Sequence, residues 1–374
     1  MSLTKVLGLV NLQANIKLGE MTDTRPLGVV SFLSRYAILD FALSSFSNSG
    51  IDKIGIITPS ESQSVLKHIA GGNSWTSNTK TGLLSLMYYE KGILNPKFNT
   101  DIKIMNENDW LIKRVNPDYI IVAPSHVVCN VDWEAQLEKH IKSEADVTML
   151  YVKTSELANS YLTSPILTLT RDGQVKKISP NLGKVENGNA SLEMFIISRL
   201  TFDAILREGE GASPVFGIHE MISHLLDINR IKVASSEYKG YVRNINSLAQ
   251  YHKVSLELLD HYKRDELFRD DSPIYTTTHN TPPSRYGLHS EVVNSFIANG
   301  AVINGHIENS IISRKVTISK GAVIKNCIIF NGVTIGSNVC LENVIVDKGS
   351  YIFSKQELKG TSDNPIYIKR GVKI

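Results

Sequence analysis

Residues 309–350 read NSIISRKVTISKGAVIKNCIIFNGVTIGSNVCLENVIVDKGS, and the stretch repeats itself at a step of 17 residues. Asn309, Asn326 and Asn343 keep that step, as do Ile311, Ile328 and Ile345; Val316 and Val333 share it, and so do Ile318 and Ile335. Single β-branched residues recur every few positions, punctuated by Gly300, Gly305, Gly321, Gly332, Gly336 and Gly349. A helical repeat of this length needs long runs without glycine, and there are none. Short strands joined by turns and stacked coil upon coil satisfy the pattern, which predicts a parallel β-helix. Hexads such as VTIGSN at 333–338 point to the left-handed type.

Upstream of the repeat the texture changes. Ser272 to Arg285 reads SPIYTTTHNTPPSR, rich in Pro, Thr and Ser, which marks a connector. The chain is therefore divided into a first domain over 1–270, a linker over 271–290 and the β-helix over 291–374. Within the first domain short apolar runs alternate with helical patterns. Lys5 to Asn11, Ile54 to Thr58, Tyr119 to Ala123 and Val147 to Val152 read as strands; Ile38 to Ser49 and Trp133 to Ser143 read as helices, with Gly50 at a helix C-cap. This alternation predicts an α/β domain with a mostly parallel, Rossmann-like sheet. Ligands in such sheets bind beyond the carboxyl ends of the strands, which directs attention to the loops after Leu9 and Ala123.

Composition narrows the function classes. The chain has 374 residues, more than one core usually fills, and its 42% hydrophobic and 21% charged residues describe an ordinary globular protein. The formal charge is only +3, and Lys and Arg are scattered, so a nucleic-acid interface is not expected. Cys129, Cys327 and Cys340 lack metal-ligand spacing and are odd in number, which argues against a zinc site or a disulfide framework. Cys327 and Cys340 are expected in the β-helix interior. No apolar run is long enough to span a bilayer and no signal peptide is evident, so the expected location is the cytoplasm, with no membrane partner.

One segment carries a specific resemblance. RYAILDFALSSFSNSGIDKIGIIT, Arg35 to Thr58, resembles the stretch Y-R-(I/L)-I-D-F-x-L-S-N-x-x-N-S-G-I of the ADP-glucose pyrophosphorylase (glucose-1-phosphate adenylyltransferase) family. Asn48, Ser49, Gly50 and Ile51 follow Asp40 and Phe41 at that family's spacing; PDYIIV at Pro117 to Val122 and the connector match as well. The resemblance covers essentially the whole chain. It implies the joining of ATP and glucose 1-phosphate to give ADP-glucose and pyrophosphate, for glycogen or starch synthesis. That chemistry needs a glycine loop against a triphosphate, cations around the reacting phosphates and carboxylates holding Mg²⁺.

Aligned on the family's motifs, this chain lacks those groups. Asn11-Leu12-Gln13-Ala14-Asn15-Ile16-Lys17 falls on the A-G-G-x-G-T-R loop, so every glycine is replaced and the arginine has become Lys17. Leu27 stands at the lysine of R-A-K-P, although Arg25 is retained, and Ala37 replaces the arginine of Y-R-x-I-D-F. Ser125 occupies the Mg²⁺-binding aspartate position of G-D-H, and Asn244 that of D-V-G-T. The E-K-P sugar-phosphate motif is missing near KISPNLGK, 177–184, and Glu193 replaces the glycine of S-M-G-I-Y-V-F. Without both carboxylates no useful Mg²⁺ site is expected, and each lost transition-state charge contact costs about 10²–10³ in rate.

Several residues admit two readings. His126 could ligate or act as a base, but is expected to be an inherited structural residue. Asp132 is expected to cap a helix, and Asp40 to be a structural hydrogen-bonding residue. Lys17, Arg25 and Arg35 are candidate anion ligands, set against solvated surface roles; the family's regulatory sites take phosphorylated metabolites. The function expected from the resemblance is a regulatory subunit, inactive alone and free of cofactor. It would assemble with a catalytic glucose-1-phosphate adenylyltransferase subunit, which carries the Mg²⁺, in a hetero-oligomer expected to be a tetramer. The rival readings are an active adenylyltransferase with rearranged ligands, a stand-alone sugar-phosphate or nucleotide sensor, and, more distantly, acyl transfer through His289 or His306.

Overall fold

The protein is described by a computed structural model over residues 4–13, 16–58, 63–70, 72–76, 82–89, 100–213 and 215–374. The chain forms two compact units: Met1–Asn15, Leu39–Asn244 and Asp270–Tyr275 in the first, and Ile16–Ile38, Ile245–Arg269 and Thr276–Ile374 in the second.

In the first unit the short β-branched runs become neighbours in a nine-stranded sheet. Val6–Asn11 lies between Lys53–Ile57 and Tyr119–Pro124 and is parallel to both; Leu83–Met87 continues parallel beyond Lys53–Ile57. Past Tyr119–Pro124 the direction reverses, because Gly188–Ser198 runs antiparallel to it and to Val147–Thr154. Val233–Glu237 then pairs parallel with Val147–Thr154. Leu7, Leu9, Ile120, Val122, Phe195 and Ile197 form one buried face with helices Asp101–Glu107, Arg199–Ala212 and Ile218–Asp227. Each such side chain contributes about 1.5–3 kcal/mol on burial. Alternate residues Gly8, Val10 and Ile121 are buried too, which is why these strands read as continuous apolar runs. Gly55 is required inside its strand by close approach: a Cβ there would stand 2.7 Å from Met87 Sδ and 2.8 Å from Leu9 Cδ2. The predicted helices form as Leu39–Asn48, stopped at Gly50 with φ +70°, and as Trp133–Ser143, where Asp132 accepts from the Ala135 N–H at 3.0 Å.

The second unit is built on three five-stranded parallel sheets, one per face of the β-helix. Strand pairing carries each position onto its equivalent in the next coil, so Ile303, Ile318, Ile335 and Ile352 stack as one buried interior row. The repeating asparagines are corner residues. Asn309, Asn326 and Asn343 have φ of +46°, +51° and +51°, a left-handed turn that Asn tolerates better than other side chains. The repeating Ile311, Ile328 and Ile345 alternate with the interior Ile312, Ile329 and Val346 and therefore point outward, yet all three are buried.

An outward apolar row must be covered. Residues 16–38 and 245–269 belong to this unit, although they precede the connector, and they lie on this side of it. Tyr251, on helix Leu248–Glu257, meets Phe330 edge-on at 6.5 Å between ring centroids and Phe32 at 6.3 Å. Its hydroxyl donates to the Ser31 carbonyl, and the His252 ring donates to the Asn326 carbonyl at 2.7 Å. The cysteines divide. Cys327 is buried in the β-helix core as expected, whereas Cys340 corrects the expectation: it is partly exposed on the outer face, paired with Val323 and Glu357, because period-two alternation puts Leu341 inside. No helix among the described residues is long and apolar enough to cross a membrane.

Candidate functional site

The carboxyl ends of Val6–Asn11 and Tyr119–Pro124 meet where the sheet reverses direction, the place where a ligand is sought in an open α/β sheet. Asn11 organises the turn there. Its Oδ1 accepts from the Gln13 N–H at 2.9 Å, and its Nδ2 donates to Asp101 Oδ2 at 2.8 Å. The Leu12 N–H donates to the Ile57 carbonyl at 2.8 Å, and the Leu12 side chain is buried. The backbone donors that a phosphate-binding loop leaves free are thus satisfied within the protein at Leu12 and Gln13. Asn15, the remaining altered loop position, lies outside the described residues.

Asp101 is the hub behind this turn. Its Oδ1 accepts the N–H groups of Ile102 at 2.8 Å and Ile218 at 3.0 Å, so one buried carboxylate serves the starts of two helices. Gly217 leaves room for it. Burial pushes the Asp101 carboxyl up to about 6, helped by the charge of Glu220. The N–H groups of Ile218 and Ile102 and the amide of Asn11 pull the other way without cancelling that. Sequence reasoning did not single out Asp101, since no local spacing ties it to Asn11, 90 residues earlier.

Ser125 adjoins this turn, its N–H donating to the Asn11 carbonyl at 3.1 Å, and is buried. Asn244 reaches the same end of the sheet because Val242–Asn244 pairs antiparallel with Val127–Cys129, which sets Asn244 opposite Val127. Its Nδ2 donates to Ser164 Oγ at 2.9 Å. The structure therefore brings Leu12, Gln13, Ser125 and Asn244 together. Ser125 and Asn244 are neutral, and among the described residues no group of three or more His, Cys, Asp or Glu side chains is placed to hold a metal. The side chains present do not fit a hard dication such as Mg²⁺, which takes carboxylate oxygens.

His126 and Glu193 supply the ionisable groups. His126 is 1% exposed; its ion-pair partner is Glu193 Oε1, 3.5 Å from Nε2, and among the described residues neither ring nitrogen has a further hydrogen-bond partner. Glu193 sits at a bulge in Gly188–Ser198 with φ +53°, its N–H donating to Ser191 Oγ at 3.1 Å. Burial pushes the Glu193 carboxyl up, but the neighbouring His126 and the charge of His219 outweigh this and hold it below the usual carboxylate range. His219 also lines a cavity of about 660 Å³ with Ser179, Asn181, Phe216 and the carboxylates Glu220 and Asp227, and among the described residues no Lys or Arg lines it. Lys177 and Lys184, from the stretch where a sugar-phosphate motif was sought, do not reach this cavity.

The remaining candidates lie in the second unit. Arg25, a candidate anion ligand by sequence, is buried and already neutralised. Its Nη1 and Nη2 donate to Asp347 at 3.2 and 2.7 Å and its Nε to the Met21 carbonyl at 3.1 Å, while Tyr367 donates to the same Asp347 at 2.5 Å. Leu27 is buried in a short 3-10 turn, Leu27–Val29. Lys17 is exposed. Arg35 is exposed, with its guanidinium 5.7 Å from the Tyr36 ring. Burial, and then the charge of Arg35, lower the pKa of Arg314, so these two cations share one neighbourhood. Asp40, in the first unit, has the structural role expected of it: it is fully buried, with Oδ1 2.5 Å from His68 Nε2.

Comparison with known proteins adds an independent line. The nucleotidyl transferase family matches residues 16–161, and the GlmU-like C-terminal hexapeptide family matches residues 282–361. The chain is 28% identical to the glycogen biosynthesis protein GlgD of Bacillus subtilis (strain 168), over 95% of this chain and 92% of that protein. It is 29% identical to the protein of the same name from Geobacillus stearothermophilus, over 98% and 96%. It is also 26% identical to the glucose-1-phosphate adenylyltransferase of Mycoplasma mobile, over 82% of this chain and 81% of that one.

Proposed function

The chain belongs to the ADP-glucose pyrophosphorylase family of glycogen biosynthesis, and we propose that within it this protein is a regulatory subunit without turnover of its own. It assembles in the cytoplasm with a catalytic glucose-1-phosphate adenylyltransferase and raises or retunes ADP-glucose formation by that partner. The catalytic subunit supplies the Mg²⁺ site; among the described residues of this chain no group of three or more His, Cys, Asp or Glu side chains is placed to hold one. The single observation that carries the reading is the turn after the first strand. Asn11 and Ile57 already satisfy the Leu12 and Gln13 donors, which takes those two donors away from a triphosphate, and the adjoining Ser125 and Asn244 bring no charge for a metal.

The physical route is interface burial that favours the competent conformation of the partner, a coupling of about 1–3 kcal/mol, or roughly 5–150-fold. Phosphorylated metabolites are proposed as effectors, with exposed Lys17 and the Arg35–Arg314 neighbourhood as the cationic positions that remain open to them.

The test measures ADP-glucose formation by this chain alone, by a catalytic homologue alone and by the two co-expressed and co-purified. Silence from this chain, with a mixture that exceeds the homologue, supports the reading. Turnover by this chain alone at the homologue's rate overturns it and favours an active enzyme with rearranged ligands. A mixture no faster than the homologue, with no co-purification, overturns the partner role in favour of a stand-alone sensor.

A further inference from the structure

Two features at the carboxyl end of the central strand have no account within the partner-subunit reading. The first is His126: among the described residues this fully buried imidazole has Glu193 as its ion-pair partner and otherwise no hydrogen-bond partner, which is unusual, since buried polar groups are almost always satisfied. The second is Glu193, a side chain with a β-carbon held at φ +53°, where glycine is at ease and other residues are strained. The fold keeps that backbone in an unfavourable shape and thereby aims a carboxylate at the buried imidazole, with Oε1 3.5 Å from Nε2. The carboxylate remains partly open to solvent, at 29% side-chain exposure, and the charge of His219, from the wall of the neighbouring 660 Å³ cavity, acts on it too.

We propose that Glu193 is a built-in occupant of an oxyanion pocket between His126 and His219, so that the chain's own carboxylate excludes phosphate monoesters from this site. A carboxylate and a phosphate oxygen have the same sign and present the same acceptors to an imidazole, so one displaces the other. Neutral Ser125 and Asn244 explain the lack of turnover; Glu193 explains a separate property, the refusal of the ligand itself. This inference does not depend on a partner subunit, because it is measured on the full chain by itself, and either result leaves the co-expression test intact.

Wild type, Glu193→Gln and Glu193→Gly are titrated calorimetrically with inorganic phosphate and with glucose 1-phosphate, without Mg²⁺. Wild type is expected to show no saturable binding at this site, and any signal it gives from Lys17 or the Arg35–Arg314 neighbourhood is the baseline against which the variants are read. Both variants should bind at least about tenfold more tightly, the factor expected when one like-charge contact is removed. Equal gains for both ligands locate the recognition in the oxyanion alone; a larger gain for glucose 1-phosphate adds the cavity beside His219, and both outcomes support the proposal. Glycine suits φ +53°, so the Gly variant is expected to fold at least as well as wild type, which circular dichroism checks. Folded variants that bind neither ligand better than wild type overturn the proposal. So does a gain confined to Glu193→Gly, which would mean exclusion by bulk, and so does a gain that survives His126→Gln, which would place the anion elsewhere.

Discussion

Replacing Asp101 by Asn should stabilise the first unit increasingly as pH rises. The carboxyl is 7% exposed and is pushed up to about 6 from the ordinary 3.8, chiefly by burial. The folded state therefore binds a proton that the unfolded state releases between those two values. For a carboxyl with a raised pKa, its contribution to stability is fully present below the unfolded value and is lost as pH climbs through about 6. The gap between 3.8 and about 6 corresponds to about 3 kcal/mol. Asn keeps an oxygen for the Ile102 and Ile218 N–H groups but turns an amide toward Asn11 Nδ2, a lost hydrogen bond that costs about 1–2 kcal/mol at every pH. The difference between variant and wild type should start near that loss at pH 4 and move by about 3 kcal/mol in the variant's favour by pH 7. All three tryptophans (Trp75, Trp110, Trp133) lie in the first unit, so urea denaturation followed by their fluorescence reports the unit that holds Asp101. A difference between the two proteins that is the same at pH 4 and pH 7 would refute the assignment of a raised pKa to Asp101.

Three further outcomes are expected. His140 is buried with Nδ1 2.7 Å from Thr148 Oγ1, and burial pushes its pKa down to about 4 against a smaller opposing effect of Asp146, so its ring should stay neutral in NMR titration at pH 5. Its contribution to stability is present above the ordinary 6.5 and fades as pH falls toward 4, opposite to that of Asp101, so the two nearly cancel in wild type and only single variants separate them. Arg25→Ala should cost about 3–5 kcal/mol in thermal or chemical unfolding monitored by circular dichroism, because it leaves Asp347 buried without its cation. Arg25→Lys should recover less than half of that, for want of the bidentate fork, and a loss under about 1 kcal/mol for either variant would contradict the buried pair. Gly217→Ala should cost about 1–3 kcal/mol through overpacking: its Cβ would stand 2.8 Å from Asp101 Oδ1 at an ordinary φ of −94°, and an unchanged urea midpoint would show that the carboxylate can yield.

Much of the fold was legible because its signals are periodic and local. The 17-residue step predicted stacked coils, and the asparagines that mark it stand at left-handed corners. The same step could not say which isoleucines face inward. Ile311, Ile328 and Ile345 turned out to be an outer row that is nonetheless buried, and Cys340 lies on the outer surface where an interior place was expected. Strand and helix positions in the first unit were readable from apolar runs and caps. The reversal at Gly188–Ser198 was not, since strand direction depends on partners far away in the chain.

The same division holds for the candidate site. The amino-acid sequence by itself determined what is missing: glycines around Leu12, a carboxylate at Ser125, another at Asn244, and a glycine at Glu193, because each is a residue type at a fixed spacing. Only the tertiary structure decided what the replacements do. Asn11 closes the turn onto Asp101, 90 residues away, and Arg25 is neutralised by Asp347, 322 residues away. Glu193 is aimed at His126 by a bulge in a strand that reaches it across the sheet. Such pairings arise when burial forces every charge and every N–H to find a partner, and the partner is whichever group the fold brings within reach.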